Sequence, residues 1–293
     1  MTTEPTSAPT STPTPALSPD LQDKYRALVA LLREMGSALV AYSGGVDSAL
    51  LLKVATDTLG EHAVGALATS PAYDVEETAE AIDVARRMGA RLEVVETHEI
   101  DDPRYNANNA DRCYFCKVEL FDHLEPLARQ LGLAHIAYGM NRDDHGDWRP
   151  GQRAARERGV RAPLDDAGLG KEEIRALAHY LDVPVWQKPA EACYSSRIPY
   201  GTPVTVEALR QIGRAERALR GLGFRRVRVR HHDTIARIEL DPGDFPRLLD
   251  ADLRARVIAA VRDAGYSLVT LDLQGYRTGS MNEALLRRPS RET

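Results

Sequence analysis

Apolar and polar positions along residues 19–200 follow two periods in turn, one typical of helices and one typical of buried strands. The short apolar run SALVAY, residues 37–42, indicates a buried parallel strand, and apolar residues recur at helical spacing before it, within residues 21–35. The alternation continues with predicted helices at 47–60, 75–88 and 117–131, and predicted strands at 63–70, 91–97 and 135–141. Strands that alternate with helices predict an α/β fold with a doubly wound parallel sheet, which binds ligands beyond the carboxyl ends of its strands.

A second pattern begins near residues 199–204, PYGTPV, where turn-forming residues interrupt the chain. Beyond it the spacing predicts helices at 205–219 and 245–263 and strands at 224–230, 234–240 and 267–273. These elements predict a smaller α/β domain over residues 201–293, after a larger one over residues 19–200. Residues 1–18 are almost all Thr, Pro, Ser and Ala, which bury too little apolar surface to become ordered, so they are predicted to be a disordered tail.

The overall composition excludes some classes of protein. Of the 293 residues 43% are hydrophobic and 28% are charged, and every apolar run is shorter than the roughly 18 residues of a membrane helix, which excludes an integral membrane protein. The net charge of −5 argues against nucleic acid as a partner, and no membrane partner is expected. Without a secretory signal the expected location is the cytoplasm, where three cysteines, an odd number, are expected as reduced thiols.

The stretch AYSGGVDSALLLK, residues 41–53, places a glycine-rich turn between a predicted strand and a predicted helix. Such a turn exposes backbone N–H groups at the positive end of a helix, which favours phosphate. Gly44 and Gly45 let the backbone approach closely, while Ser43 and Ser48 add hydroxyl donors. The spacing matches neither the common phosphate loop nor the three-glycine dinucleotide fingerprint. The alternative is a tight turn before a capped helix, in which Asp47 is a charge at the helix N-terminus.

The residues SGGVDS, 43–48, resemble the pyrophosphate loop (PP-loop) of the ATP pyrophosphatases, which include GMP synthetase, NAD synthetase, asparagine synthetase and the tRNA thiolation enzymes. The resemblance implies a fold like that of the adenine nucleotide alpha-hydrolases for the larger domain. It also implies that the loop holds the β and γ phosphates of ATP while a substrate oxygen attacks the α phosphate, giving an adenylate and pyrophosphate. Asp47 would help to hold Mg²⁺ beside this leaving group.

Four further stretches narrow the resemblance, namely residues 138–151, 161–201, 227–240 and 269–282. With the loop they resemble the LarE family of ATP-dependent sulfur transferases, over about Tyr25 to Leu285. The resemblance implies adenylation of a carboxylate on pyridinium-3,5-biscarboxylic acid mononucleotide and its conversion to a thiocarboxylate, for the nickel-pincer nucleotide cofactor of lactate racemase. It also implies a homo-oligomer, a trimer or a hexamer.

The three cysteines fall in two of the chain's motifs. Cys193, in EACYSSRIPYG, matches the family's sulfur-donating cysteine, whose C–S bond breaks to leave dehydroalanine. The motif DRCYFCK departs from the sacrificial form of the family, because Cys113 and Cys116 have the short spacing with which thiolates bind a metal or a cluster. Three cysteines suit a [4Fe–4S] cluster with one iron open to an exogenous sulfide, which we favour. The alternatives are that Cys193 itself is consumed, or that Cys113 and Cys116 are incidental thiols at the start of a helix.

The stretch FRRVRVRHHD predicts a strand with Arg226, Arg228 and Arg230 on one face and valines on the other. The resemblance assigns Arg228 and Arg230, with Arg277 in GYRTG, to the substrate's phosphate or to pyrophosphate, which suits the geometry of the guanidinium group. It also marks Glu239 in ARIEL as a metal-binding acid that could share Mg²⁺ with a phosphate oxygen. The alternative is a solvated strand face.

Two further polar segments contain candidate residues. The first, YGMNRDDHGDWRPG, follows a predicted strand, where an α/β site lies, and has a plain polar loop as its alternative. It supplies Asn141, Asp143, Asp144, Asp147 and Arg149. The second, DPGDFP, contains Asp244 as a further candidate acid for a metal, although the register there is open.

Three other functions use part of the same pattern. A tRNA thiolation enzyme also joins this loop to cysteines, but the acidic net charge argues against it. An amide-forming ligase like NAD or GMP synthetase uses ammonia and does not need the three cysteines. An ATP-binding sensor would catalyse no reaction, and carboxylate-dependent release of pyrophosphate from ATP would eliminate it.

Overall fold

The computed structural model describes residues 16–146, 150–189 and 192–277. Most of the predicted tail, residues 1–15, lies outside these ranges. Ser18 already caps the first helix, because its hydroxyl accepts a hydrogen bond from the backbone N–H of Leu21 at 3.3 Å. Within the described ranges no helix is both long and apolar enough to cross a membrane.

Helices and strands alternate over most of the described chain. The α-helices are α1 Pro19–Met35, α2 Val46–Leu59, α3 Val75–Arg87, α4 Pro103–Asn106, α5 Arg112–Gln130, α6 Pro150–Glu157, α7 Pro163–Asp166, α8 Lys171–Tyr180, α9 Val206–Gly221 and α10 Ala251–Asp263. The strands are β1 Ala38–Tyr42, β2 Ala63–Thr69, β3 Arg91–Glu96, β4 His135–Tyr138, β5 Val227–His232, β6 Ile235–Leu240 and β7 Leu268–Leu271. Short 3₁₀ helices include Glu99–Asp101, Arg142–Gly146, Tyr194–Arg197 and Pro242–Leu249.

The first four strands form a parallel sheet in the order β3-β2-β1-β4, as the alternation of strands and helices predicts. Leu39 of β1 pairs with Val64 of β2 on one side and with Ile136 of β4 on the other. Successive side chains enter opposite cores, since Leu39 packs with α5 and α6 and Val40 packs with α1, α2 and α8. The strand order reverses at β1, because β2 and β4 flank it on opposite sides. Sheets of this kind bind ligands where the order reverses, so the expected ligand site lies beyond the carboxyl end of β1.

The last three strands form a second, smaller sheet in the order β5-β6-β7. β5 is antiparallel to β6, and β6 is parallel to β7. Val227 and Val229 of β5 enter an apolar core with α9 and α10. The strand period therefore turns Arg228 and Arg230 to the opposite face.

Two predicted helices have different bounds in the structure. α5 begins earlier than predicted, at Arg112, so that the motif DRCYFCK forms its first turns. The predicted helix at 245–263 is two elements, a 3₁₀ helix that contains Pro246 and then α10. Proline in a helix interior removes a backbone hydrogen-bond donor. Asp250 then caps the N-terminus of α10, because its side chain accepts a hydrogen bond from the backbone N–H of Leu253 at 2.7 Å.

Candidate functional site

The glycine-rich turn at residues 43–45 follows β1 directly and leads into α2. The Ser48 hydroxyl closes this turn, since it accepts a hydrogen bond from the backbone N–H of Ser43 and donates one to the carbonyl of Gly45, each at 3.1 Å. Gly44 has a φ of 76°, and a Cβ there would lie 2.7 Å from the Cβ of Ala81. The turn therefore requires glycine at this position and presents the N-terminus of α2 at the carboxyl end of β1.

Asp47 on α2 meets the polar segment that follows β4. The Asn141 side-chain amide donates to the Asp47 carboxylate at 3.2 Å. Asp144 is buried, at 3% exposure, and accepts a hydrogen bond from the backbone N–H of Asn141 at 3.2 Å. The carboxylates of Asp47 and Asp144 are therefore linked through Asn141 at this end of the sheet. Asp147 and Arg149, predicted in the same segment, lie outside the described residues.

Close contacts fix the polar segment against its neighbours. Gly139 packs against α2, where a Cβ would lie only 2.9 Å from the backbone nitrogen of Ser48. Asp143 accepts a hydrogen bond from the backbone N–H of Lys171 at 2.7 Å, at the start of α8. The Lys171 ammonium lies 3.4 Å from the buried carboxylate of Asp144. The segment is thus a packed part of the site.

A cleft opens beside the glycine-rich turn, at the carboxyl ends of β1 and β2. It encloses about 580 Å³, including its open mouth. Ser43, Tyr73, Asp74, Lys117 and Lys188 are among the residues that line it. Two lysines in a cleft that begins at a glycine-rich turn suit a polyanion such as ATP.

Cys193 lies directly before the 3₁₀ helix Tyr194–Arg197 and is partly buried; we call residues 192–197 the thiol turn. The backbone N–H of Tyr194 donates to the carbonyl of Ala72 at 2.9 Å. The Arg197 guanidinium donates to the carbonyl of Cys193 at 3.1 Å. Arg197 is itself held by two parallel hydrogen bonds, 2.9 and 3.0 Å long, to the fully buried carboxylate of Glu216. This bidentate pair fixes the backbone around the thiol.

The first turns of α5 lie against the thiol turn. Arg112 donates to the carbonyl of Ser195 at 2.8 Å, and the hydroxyl oxygens of Tyr105 and Ser195 are 2.5 Å apart. Cys113 is exposed and Cys116 is partly buried. These contacts bring the two cysteines of α5 toward the turn that contains the third cysteine.

The three thiols interact with one another and with the cleft. Burial raises the pKa of Cys116 to about 12, and the neighbouring thiols of Cys193 and Cys113 contribute to the increase. The thiol of Cys116, then burial, and then Cys193 raise the pKa of Tyr73, whose side chain lines the cleft. Cys116 and Cys193 also pack against the same apolar cluster, which includes Tyr105 and Tyr194. Within the described ranges, however, no three His, Cys, Asp or Glu side chains are arranged to hold a metal ion.

Arg228 and Arg230 are buried against the thiol turn, at 6% and 1% exposure. Arg230 donates to the Glu239 carboxylate at 2.7 Å and to the carbonyl of Ser196 at 2.9 Å. Burial lowers the pKa of Arg228, and the like charge of Arg197 lowers it further. These two arginines are therefore not part of a solvated strand face, and the predicted metal-binding acid Glu239 is in an ion pair.

The remaining predicted residues, two arginines and one acid, lie nearer the surface. Arg226 precedes β5, its side chain is 57% exposed, and its guanidinium carbon lies 5.2 Å from the centre of the Tyr276 ring. Arg277 follows Tyr276 directly in the chain. Asp244 forms an ion pair with Arg247 at 2.8 Å.

Sequence reasoning missed two acidic residues that connect the cleft to the thiol turn. Asp74 lines the cleft, caps α3, and accepts a hydrogen bond from Arg220 at 2.9 Å. Arg220 also donates to Glu216 at 3.2 Å, so that the two carboxylates share one guanidinium. An Asp followed by Val-Glu-Glu is a recognisable helix start, from which Asp74 could have been predicted to cap a helix. Glu216 lies inside an amphipathic helix and has no comparable signal in the sequence.

Comparison with known proteins shows which family the chain is part of. No model of a known protein family matches it. An uncharacterized protein of Synechocystis sp. is 45% identical to it over 267 residues, which cover 91% of this chain and 100% of that protein. The pyridinium-3,5-bisthiocarboxylic acid mononucleotide synthase of Lactiplantibacillus plantarum is 39% identical over 271 residues, which cover 91% of this chain and 96% of the synthase. The chain belongs to the LarE family, that of this synthase.

One shorter match relates this LarE-family chain to another group of enzymes. The glutamine-dependent NAD(+) synthetase of Rhodobacter capsulatus is 39% identical over 92 residues, which cover 29% of this chain and 16% of the synthetase. NAD synthetase is among the enzymes that the SGGVDS loop resembles. The match therefore agrees with an enzyme that uses ATP and with the PP-loop resemblance.

Proposed function

We propose that this LarE-family chain is an ATP-dependent sulfur transferase that adenylates a carboxylate of pyridinium-3,5-biscarboxylic acid mononucleotide and converts it to a thiocarboxylate. The product would serve the synthesis of the nickel-pincer nucleotide, the cofactor of lactate racemase. The L. plantarum relative, named as the synthase of the bisthiocarboxylic compound, supports this substrate. One structural observation carries the proposal: the cleft that begins at the glycine-rich turn includes Tyr73, whose pKa is raised by the thiol of Cys116, by burial and by the thiol of Cys193.

In the first step the glycine-rich turn, called the phosphate-binding turn from here on, holds the leaving group. The β and γ phosphates of ATP would accept hydrogen bonds from Ser43, Gly44, Gly45 and Ser48 at the N-terminus of α2. A carboxylate oxygen of the substrate attacks the α phosphorus, the bond from this phosphorus to the oxygen that bridges it to the β phosphorus breaks, and pyrophosphate leaves. This gives an acyl-adenylate without any change of oxidation state.

Mg²⁺ fits the acidic side of the same turn. Oxygen ligands suit Mg²⁺, which proteins usually bind through one or two carboxylates together with substrate phosphates. Asp47 and Asp144, linked by Asn141, supply such carboxylates beside the turn. Bound there, the ion would neutralise charge on the departing pyrophosphate.

In the second step a sulfur nucleophile replaces AMP on the acyl carbon. If Cys193 is the donor, its thiolate attacks that carbon, AMP leaves, and a thioester forms. A base then removes the Cα proton of Cys193, and the Cβ–S bond breaks with its electron pair on sulfur. The products are a thiocarboxylate and dehydroalanine at position 193, so each chain would react once.

We favour an iron–sulfur cluster on the three cysteines as the sulfur carrier. Cys113 and Cys116 lie in the first turns of α5, and Arg112 joins this helix to the thiol turn that contains Cys193. A thiol with a pKa near 12, such as Cys116, is neutral at physiological pH unless a metal binds it. A [4Fe–4S] cluster on these three cysteines would supply an exchangeable sulfide on its fourth iron.

The buried arginines supply a site for the phosphate of the substrate. Burial and the charge of Arg197 disfavour the Arg228 cation, and a bound phosphate would relieve that penalty. Arg228, Arg230 and Arg277 are the proposed donors. Glu239, paired with Arg230, remains the predicted acid for an Mg²⁺ ion shared with a phosphate oxygen.

A reaction mixture of ATP, Mg²⁺, sulfide and the biscarboxylic nucleotide tests the proposal. We expect carboxylate-dependent pyrophosphate release and a thiocarboxylate product, both measured by mass spectrometry. Asp47→Asn should lower pyrophosphate release, whereas Asp57→Asn, on the exposed end of α2, should leave it unchanged. An amide formed from ammonia, activity on tRNA at low salt, or ATP binding without pyrophosphate would each contradict the proposal.

Anaerobic purification separates the two sulfur sources. A visible absorption band with iron bound in a ratio of about four per chain supports the cluster. A colourless, iron-free protein that delivers one sulfur and acquires dehydroalanine at position 193 contradicts it and supports the sacrificial route.

The proposal also includes the predicted setting of the enzyme. We propose a homo-oligomer, a trimer or a hexamer, in the cytoplasm, with a small nucleotide as substrate and with neither nucleic acid nor membrane as a partner. The mass of the protein in solution, measured by light scattering, tests the oligomer.

A further inference from the structure

The turn at residues 70–74, here called the bridge turn, separates the nucleotide cleft from the thiol turn. Its Tyr73 and Asp74 line the cleft. Its Ala72 accepts a hydrogen bond from the backbone N–H of Tyr194 at 2.9 Å. The Tyr194 hydroxyl also donates to the Asp74 carboxylate. Tyr194 is therefore joined to the bridge turn through both its backbone and its side chain.

The Tyr194 ring occupies a closely fitted space. The residue is 4% exposed, and a Cβ on Gly213 of α9 would lie 2.9 Å from the ring carbon Cε2 and 3.2 Å from Cζ. Arg220 donates at 2.9 Å to the same Asp74 oxygen that the Tyr194 hydroxyl contacts. The ring is thus bounded by α9 and fixed at its hydroxyl end by a carboxylate that is itself held in place.

We propose that Tyr194 is a positioning residue, which holds Cys193 beside the bridge turn of the nucleotide cleft by donating its hydroxyl to Asp74. Tyr194 follows Cys193 directly, so the direction in which its side chain is anchored sets the path of the backbone at Cys193. The inference rests on the proposed function, because it assigns Tyr194 to the sulfur-transfer step of that reaction. It applies whether Cys193 donates its own sulfur or binds a cluster, since both require Cys193 to be held beside the adenylate.

The two steps should respond differently to the loss of this anchor. The phosphate-binding turn is closed by its own residues, so adenylation does not depend on the Tyr194 hydroxyl. Sulfur transfer depends on the distance between a sulfur atom and the acyl carbon, and a misplacement of about 1 Å can cost roughly 100-fold in rate.

The test compares Tyr194→Phe with Tyr266→Phe. Tyr266 is a matched control, because it is also a buried tyrosine, with its hydroxyl 3.1 Å from Nδ1 of His231, but it lies in the apolar core of the smaller sheet. In a single turnover we expect Tyr194→Phe to keep two quantities within about twofold of the unsubstituted protein, namely the rate of pyrophosphate release and the ATP concentration that gives half of its maximum. Its rate of thiocarboxylate formation should fall about 10-fold to 100-fold. Tyr266→Phe should leave both rates unchanged.

Gly213→Ala provides a second route to the same result, because its methyl group displaces the Tyr194 ring without removing the hydroxyl. It should also lower thiocarboxylate formation more than pyrophosphate release. Tyr194→Phe with an unchanged rate of thiocarboxylate formation would show that the inference is wrong. Equal losses in both steps would do the same, since they indicate general damage.

A third measurement separates this inference from the proposed function. If the unsubstituted protein releases no carboxylate-dependent pyrophosphate, the proposed function fails. The rate at which iodoacetamide alkylates Cys193, followed by mass spectrometry, then tests the positioning alone. We expect Tyr194→Phe to change that rate by about threefold or more and Tyr266→Phe to leave it unchanged. Equal alkylation rates in the two variants would exclude a positioning role for Tyr194.

Discussion

The phosphate-binding turn lies at the cleft, the thiol turn lies behind the bridge turn, and the two are held in different ways. Neighbours in the chain close the first, since Ser48 bonds to Ser43 and Gly45. The second is held by Ala72, Arg112 and Glu216, which come from three distant segments. A local motif can therefore be recognised from a few residues, whereas the position of the Cys193 thiol depends on how separate parts of the fold meet.

The largest expected effect comes from removing the thiol itself. Cys193→Ala should lower thiocarboxylate formation on the order of 1000-fold or more, because no other group can replace a sulfur donor or ligand at that position. Pyrophosphate release should continue, since the phosphate-binding turn is intact. Quenched-flow mass spectrometry measures both products.

Cys113→Ala distinguishes the two sulfur sources. Thiocarboxylate formation should require the exposed Cys113 thiol if the three cysteines hold a cluster, and should not require it if Cys193 is consumed. Normal thiocarboxylate formation by Cys193→Ala would contradict both routes.

A substitution in the phosphate-binding turn should instead lower pyrophosphate release. Gly44→Ala places a Cβ 2.7 Å from that of Ala81 at a φ of 76°, which should distort the turn and lower pyrophosphate release about 100-fold. Gly60→Ala is the control, because its φ of 58° also disfavours a side chain, but nothing lies within 4 Å of the new Cβ. If both variants release pyrophosphate at the same rate, the close packing of this turn is not required for adenylation.

The buried ion pair that holds the thiol turn should contribute more to stability than an exposed ion pair. Glu216→Gln leaves Arg197 buried without its full counter-charge, which should lower the free energy of unfolding by about 3–5 kcal/mol. Glu93→Gln breaks an ion pair whose side chains are 53% and 38% exposed, and should cost about 0–1 kcal/mol. Urea unfolding followed by circular dichroism measures both, and equal losses would argue against Glu216 as an anchor of the thiol turn.

The smallest expected effect is a dependence on pH at Asp74. Burial alone would raise the pKa of Asp74, but hydrogen bonds from Tyr194, from the backbone N–H of Glu76 and from Arg220 outweigh it and lower that pKa below its ordinary value of 3.8. A carboxylate with a lowered pKa stabilises the fold above its unfolded-state value, and this contribution is lost as pH falls through the folded-state pKa.

The difference in unfolding free energy between the unsubstituted protein and Asp74→Asn should therefore shrink from about pH 6 to about pH 3. Asp23→Asn, on an exposed face of α1, is the control and should show a much smaller change. A difference that grows on acidification would contradict the assigned role of Asp74.

The same contrast explains how much the sequence could predict. The parallel sheet and the SGGVDS turn follow from local spacing, because each strand and turn is specified by adjacent residues. The start of α5 was missed because its first residue, Arg112, is fixed by Ser195, 83 positions away. The alternation at β5 predicted which face Arg228 and Arg230 share, but not their burial, which depends on contacts from other segments such as that of Ser196 with Arg230.

Arg112 has a consequence for how such an enzyme can change over evolution. It ties α5 to the thiol turn with its own guanidinium, so this link does not rely on the sulfur atoms of Cys113 and Cys116. Substitutions at those two positions could therefore alter where the sulfur originates while the turn around Cys193 stays in place. A lineage could pass between a reusable and a single-use enzyme through changes on one face of one helix.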